Sequence, residues 1–470
     1  MAGLATAEAA AAAGALLLLI VLAGRFALRE AEAFWWLTVA LAPLAVPFRT
    51  GVSGVEVTVP FEPMLVLSGA SLLLAQAKPA RGWPALLRHP VVLAAAASVA
   101  WMAVASAAAP FPLAGVKATA VRALYAAVLL GGGLAYLRTE GDVRRLVLTA
   151  AIPLVVPTLC AFAVHAAAGF ARKAAFESAQ PFFSNRLDLV AVLTAWGVVG
   201  SVLLAGPGRG GLSRRQALAL ETTLALFLVV LVALFARSAV AGAGAALLAL
   251  PLLAGRSTPR SAVAALLTGL GALAIAVTLA ASSRAVRAVP EPPRGPLSPV
   301  ADALFELDTL RDVSVLERLN RWNAAARMAA ERPVTGFGPN GFERSYGPYQ
   351  NVFETTTHSS FTGARGDAHS ELLSALAEQG VPGLALLLAL LVAPVAAAVR
   401  GARSRGTPGS RVLAIAYGAG LVAFAAMNVS NSFLDLDKVA PAFWLLAAGS
   451  VALDPEGLSV PPAPTSPAGC

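Results

Sequence analysis

Apolar runs of about 17 to 22 residues recur along this chain, the length a helix needs to cross the hydrocarbon of a bilayer. They fall near residues 9–24, 34–48, 63–77, 90–108, 121–136, 146–166, 187–205, 217–235, 239–255 and 262–281, and again at 381–399, 412–427 and 439–453. The pattern predicts an all-α polytopic membrane protein with about 12–13 transmembrane helices. One long polar stretch, 282–372, interrupts it. That stretch opens on a Pro-rich linker from Val289 to Pro299 and then changes character. Val315, Leu319, Trp322, Ala326 and Ala329 recur at steps of three and four, which predicts an amphipathic helix burying that face. Glu317, Arg318, Arg321, Arg327 and Arg332 populate its other positions, with Asp312 or Ser314 as its cap and Pro333 as its stop. Gly336, Gly338 and Gly341 then make a turn with few side chains. A final helix enters at Asp367–Leu373, reaches Gly380 and restarts after Pro382.

The pattern divides the chain into N-terminal transmembrane helices (1–281), an external loop (282–372), C-terminal transmembrane helices (373–453) and a Pro/Ala-rich, disordered cytoplasmic tail (454–470). Composition agrees, with a mean hydropathy of +0.73 and only 13% charged residues. In such a chain the net charge of +9 is a topology signal and does not point to nucleic acid. Basic residues crowd every second connection, as at Arg25/Arg29, Lys78/Arg81/Arg88, Arg138/Arg144/Arg145, Arg209/Arg214/Arg215, Arg256/Arg260 and Arg400–Arg411. Those connections read as cytoplasmic, and the alternate ones, including the long loop, as external. No Lys or Arg precedes Arg25, so the first apolar run reads as a retained span. Cys160 and Cys470 imply no disulfide framework.

Few residues are suited to chemistry. His89 and His165 read as structural or interfacial, and His358 lies in a Thr/Ser-rich part of the loop. His369 sits where the external loop becomes an apolar helix, with Asp367 and Glu371 near enough to orient its ring, and an imidazole there can accept a proton near neutral pH. The bland alternative is a helix-start residue solvating the interface. Arg186 and Arg237 lie at external helix ends, where arginines are disfavoured unless they meet an anion or a wet cavity. A guanidinium can hold phosphate through two parallel hydrogen bonds. Charge exchange with Asp188 for Arg186, and snorkelling to headgroups for Arg237, stay open as alternatives. Asp435 and Asp437 resemble the paired acids of metal-dependent sugar transferases, but no further cluster of metal ligands supports a metal. The glycine turn lacks the strand and the Lys-Ser/Thr ending of a nucleotide loop and reads as structural.

Three motifs together carry a resemblance. Arg318-Leu319-Asn320-Arg321-Trp322, then Arg332-Pro333 through Gly336-Phe337-Gly338-Pro339-Asn340-Gly341-Phe342, then Ala368-His369-Ser370-Glu371-Leu372-Leu373 with Glu378-Gln379-Gly380-Val381-Pro382-Gly383, resemble the signature loop of the O-antigen ligase and polymerase family. The resemblance spans roughly residues 180–450 and implies a glycosyltransferase of the bacterial inner membrane whose active site faces the periplasm. It implies transfer of a glycan from an undecaprenyl-pyrophosphate donor to a hydroxyl of a glycan or lipid A-core acceptor, without metal, cofactor or nucleic acid. His369 stands at the position of the family's loop histidine, taken as the base. Arg186, Arg237 and Arg318 stand at positions of arginines expected to hold the pyrophosphate, Arg318 with a structural alternative. The chain departs from the family in carrying Ser370 where many members have Asn. The rival class, a polytopic transporter or flippase for lipid-linked saccharides, predicts an internal repeat and broken mid-membrane helices, neither of which the sequence displays clearly.

Overall fold

Prolines and small polar caps fix where the helices start. In the computed structural model, which describes residues 23–49, 56–75, 82–171, 174–234, 237–255, 313–350, 366–404 and 406–455, the chain is a bundle of helices. Helix α1 (Ala31–Leu41) leads through a short 3₁₀ turn into a two-stranded antiparallel hairpin, β1 (Val46–Arg49) and β2 (Glu56–Val59), in which Val46 pairs with Val59. The hairpin is the one element type that the hydropathy pattern does not suggest. Then follow α2 (Phe61–Leu74), α3 (Pro90–Ala107), α4 (Pro112–Tyr136, π-helical over Ala126–Leu130), α5 (Glu140–Ala167), α6 (Arg186–Ala205), α7 (Arg214–Ala233) and α8 (Arg237–Leu253). The external-loop helix is α9 (Val313–Glu331), and α10 (Glu371–Arg403), α11 (Pro408–Met427) and α12 (Ala440–Leu453) complete the order.

Pro90, Pro112 and Pro408 each open a helix, where the missing N–H is no loss. Asn185 caps α6 through its Oδ1, and Thr139 with Asp142 and Ser213 with Gln216 form reciprocal capping boxes on α5 and α7. Among the described residues, seven helices are long and apolar enough to cross a membrane, namely α3 to α7, α10 and α11. The shorter apolar helices α1, α2, α8 and α12 bring the total to eleven, one for each expected run outside 9–24 and 262–281. Of those two runs, 262–281 lies outside the described residues, as does all but the end of 9–24.

Of the seven long helices α6 and α11 are the most enclosed, and every residue of the shorter α12 is buried. Small residues let them approach: a Cβ at Gly449 on α12 would come within 2.0 Å of the Tyr417 ring on α11. The basic connections gather at one end of the bundle. There Arg144 Nε donates to the Gly210 carbonyl (2.8 Å) and Arg411 Nη2 to that of Ala254 (3.0 Å). At the same end the fully buried Asp454 accepts from Arg400 Nε (3.0 Å) and from His89 Nε2 (3.1 Å), while His89 Nδ1 accepts from the Val91 N–H. That geometry fixes the tautomer of His89, and it gives this histidine the structural role expected of it.

Candidate active site

At the opposite end the chain enters α10 through Gly366-Asp367-Ala368-His369-Ser370. His369 adopts φ +51°, a left-handed backbone that costs a residue with a Cβ roughly 1–3 kcal/mol and persists only where neighbours enforce it. The enforcement is visible. Asp367 Oδ1 accepts from the His369 N–H (2.8 Å) and lies 3.1 Å from Nδ1 of the ring. With Nδ1–H directed at a carboxylate, the neutral ring carries its lone pair on Nε2, the tautomer a proton acceptor needs. The imidazole is 40% exposed. Packing around Asp367 pushes its carboxyl pKa up, but the hydrogen bond and charge of His369, helped by Ser432, outweigh this and hold it below the ordinary value.

Polar contacts anchor the first turn of α10 to the connection between α11 and α12. The Glu371 N–H donates to the carbonyls of Asn428 and Asn431 (3.0 Å each), and the Ser370 side chain caps the helix. The Glu371 carboxylate is buried and accepts from the Leu434 N–H (3.2 Å) and from Arg122 Nη2 (3.3 Å). Arg122, buried within α4, also pairs with Asp435. Tyr125, one turn on, donates to Asp437 (2.8 Å). The two acids of the Asp-Leu-Asp motif are therefore engaged by protein side chains of one helix. Lys438 follows, half-buried against Phe183 with its ammonium donating to the carbonyls of Ala42 and Ala45, and burial pushes its pKa down to about 8.

The glycine turn is docked onto a break in α10. At Gly380 the helix turns to φ +68°, and the carbonyls freed there find partners. The Phe337 N–H donates to Ala377 O (3.0 Å), the Gly338 N–H to Glu378 O (2.7 Å) and Trp101 Nε1 to Gln379 O (2.8 Å). In return the Val381 N–H donates to Pro333 O (2.8 Å), and the buried Glu378 carboxylate accepts from the N–H groups of Asn340 and Phe342 (2.9 Å each). A Cβ at Gly336 would come within 2.3 Å of the Glu378 backbone, so glycine is required for this approach. The structural reading of the turn is confirmed in detail.

Helix α9 corrects an expectation. Its buried face is Glu317, Asn320, Arg321, Ala324, Ala325, Met328 and Ala329, whereas Leu319 and Trp322 are only partly buried and Ala326 is exposed. The polar members enter because they are paired: Arg321 Nε meets Glu317 Oε1 at 2.8 Å, and Arg321 Nη1 donates to the Asp367 carbonyl at 2.7 Å. Local satisfaction of charge overrides the apolar stripe.

Of the arginines, Arg186 begins α6, partly buried, with Nη1 donating to the Leu234 carbonyl (3.1 Å) at the end of α7. It is also within electrostatic range of His165. Arg237 begins α8, exposed, three residues beyond Leu234. Arg186 and Arg237 are thus brought to neighbouring helix ends. Asp188, two residues into α6, lies within electrostatic range of Asp367, which ties that end to the histidine segment. Arg318 is partly buried on α9, next to Glu317. No hydrogen bond joins His369 to any of the three among the described residues, and His358 lies outside them. Arg122 escaped the sequence reading. Its signal was a cation near the start of an apolar run, with Glu371 and Asp435 as distant acids in need of a partner.

Residues 222–388, a little over a third of the chain, match the profile of the family described as O-Antigen ligase. Over that segment the chain is similar to the O-antigen ligase family. The segment runs from α7 to the middle of α10 and contains Arg237, Arg318, His369, the glycine turn and the Gly380 break. No individual curated protein matches the chain. Arg321 and Asp367, which hold His369, both lie in the matched segment.

Proposed function

We propose that the protein is an inverting glycosyltransferase that moves a glycan from undecaprenyl pyrophosphate to an acceptor hydroxyl at the periplasmic face of the bacterial inner membrane. The acceptor is lipid A-core in the ligase form of this reading and a second lipid-linked glycan in the polymerase form. His369 removes the hydroxyl proton through Nε2. The oxygen attacks the anomeric carbon opposite the departing phosphate, and Arg186, Arg237 and Arg318 stabilise the charge that builds on the pyrophosphate. No step calls on a metal or a cofactor.

The observation that carries the reading is the His369–Asp367 contact at 3.1 Å, which engages Nδ1 of a partly exposed ring at the start of α10 and leaves Nε2 as the proton acceptor. Room for the lipid tail supports it. An apolar cavity of about 1070 Å³ lies between α2, α3 and α4, lined by Val66, Ala70, Val92, Ala96, Leu124 and Val128 among others. On α4 it begins immediately beyond Arg122.

The test is turnover of a synthetic undecaprenyl-pyrophosphate glycan by purified protein in proteoliposomes. His369→Ala is expected to lower kcat by about 10²–10⁴-fold, the usual worth of a positioned general base. Each of Arg186→Gln and Arg237→Gln is expected to cost about 100-fold or more, as loss of one electrostatic contact to a transition state does. Undiminished turnover in His369→Ala would remove the base from this scheme. Gel analysis of surface polysaccharide in a deletion strain separates the two acceptors, since a lost polymerase leaves single repeats on the core and a lost ligase leaves core alone.

A further inference from the structure

The histidine segment is held from outside by a residue that the transfer scheme does not use. Arg321 on α9 is buried, and its charge is balanced one helical turn away by the equally buried Glu317 through a 2.8 Å contact. An isolated buried ion pair is seldom retained for stability alone, since apolar residues of like size serve as well. This one has a free edge with a use. Arg321 Nη1 crosses 46 residues of sequence to donate to the main-chain carbonyl of Asp367 at 2.7 Å. The face of its guanidinium lies 5.3 Å from the centre of the Tyr346 ring, which limits its freedom to swing. Gly366 packs so closely below it that a Cβ there would stand 3.0 Å from Nη1. The cation, the aromatic ring and the glycine converge on the Asp367–Ala368 peptide, one residue before the left-handed His369.

We propose that Arg321 is a positioning residue for His369. Its guanidinium latches the Asp367 carbonyl, which fixes the Asp367 carboxylate under both the His369 N–H and Nδ1, and so sets the tautomer and the aim of Nε2. The link to turnover rests on His369 being the base of the proposed transfer, while the latch itself does not. Lysine would keep the charge beside Glu317 but lacks the planar fork that reaches two partners at once.

Two readouts separate these levels. The first is the rate of carbethoxylation of His369 by diethyl pyrocarbonate at fixed pH, followed at the peptide level by mass spectrometry in the intact membrane protein. The second is steady-state turnover of the synthetic lipid-linked glycan. Arg321→Gln is expected to change the modification rate at His369 by about threefold or more, matching Asp367→Asn in direction, and to lower kcat by about tenfold or more while KM for the donor stays within about twofold. Arg321→Lys is expected to recover only part of either loss. Gly366→Ala, which pushes on the same peptide while leaving the Glu317–Arg321 pair intact, is expected to give the same signature. Glu317→Gln/Arg321→Gln removes both charges of the pair and serves if Arg321→Gln alone does not fold. An unchanged modification rate in Arg321→Gln or the double variant overturns the latch. So does a loss expressed mainly in KM, which would make Arg321 a substrate contact. A changed rate at His369 alongside undiminished turnover in His369→Ala keeps the latch and overturns the base.

Discussion

Asp367 and Glu378 are both carboxylates that receive backbone N–H groups, yet they do different work. Asp367 holds the His369 backbone and ring. Its folded pKa lies below the ordinary value, so its contribution to folding is complete above about pH 4 and is lost only as pH falls through the lower folded value. Turnover lost on acidification between pH 7 and about pH 4 therefore comes from another group. Asp367→Asn should lower kcat across that whole range by about tenfold or more, which a pH–rate profile checks. Glu378 ties the glycine turn to α10 from a buried position. Glu378→Gln turns an amide donor towards one of two N–H groups and is expected to cost about 1–3 kcal/mol, read as a lower melting temperature in detergent. The place of His369 at a helix start was legible from Asp-Ala-His-Ser-Glu and the apolar run behind it. Its left-handed backbone was not, because nothing in a five-residue string announces that a side chain 48 residues earlier will hold the peptide.

The elements repeat the lesson with a sharper edge. Period and stop signals found α9 within a residue or two, since Pro333 ends it as proline must. They mistook which side faces inward, because a stripe analysis counts apolar atoms and cannot foresee that Glu317 and Arg321 neutralise each other. The break in α10 was foreseen at Gly380, although what covers it was not. A Cβ at Gly380 would lie 2.2 Å from the Val334 carbonyl oxygen, on a backbone at φ +68°. Gly380→Ala is therefore expected to destabilise the protein by more than about 1 kcal/mol and to loosen the glycine turn, with earlier proteolysis near residues 333–342 as the local sign.

For the whole molecule, hydropathy gave the order of the apolar helices wherever they can be compared, and seven of those eleven are long enough to cross a bilayer. It gave no hint that Arg122 of α4, Glu371 of α10 and Asp435 before α12 meet in one cluster. Such closure is a property of the bundle and not of any segment. Arg122→Gln strands the buried Glu371 carboxylate, besides unpairing the more exposed Asp435, and is expected to cost about 3–5 kcal/mol. Arg122→Gln/Glu371→Gln, with one fewer stranded charge, should recover part of that, a comparison fluorescence-detected size exclusion makes directly.

The conformation at residue 369 has a practical consequence. Glycine accepts φ +51° at no steric cost, so His369→Gly should melt higher than His369→Ala and within about 1 kcal/mol of the parent while its turnover falls as far as that of His369→Ala. If His369 is the base, a sturdy, slow protein of that kind is the form in which to hold donor and acceptor together while the complex is imaged.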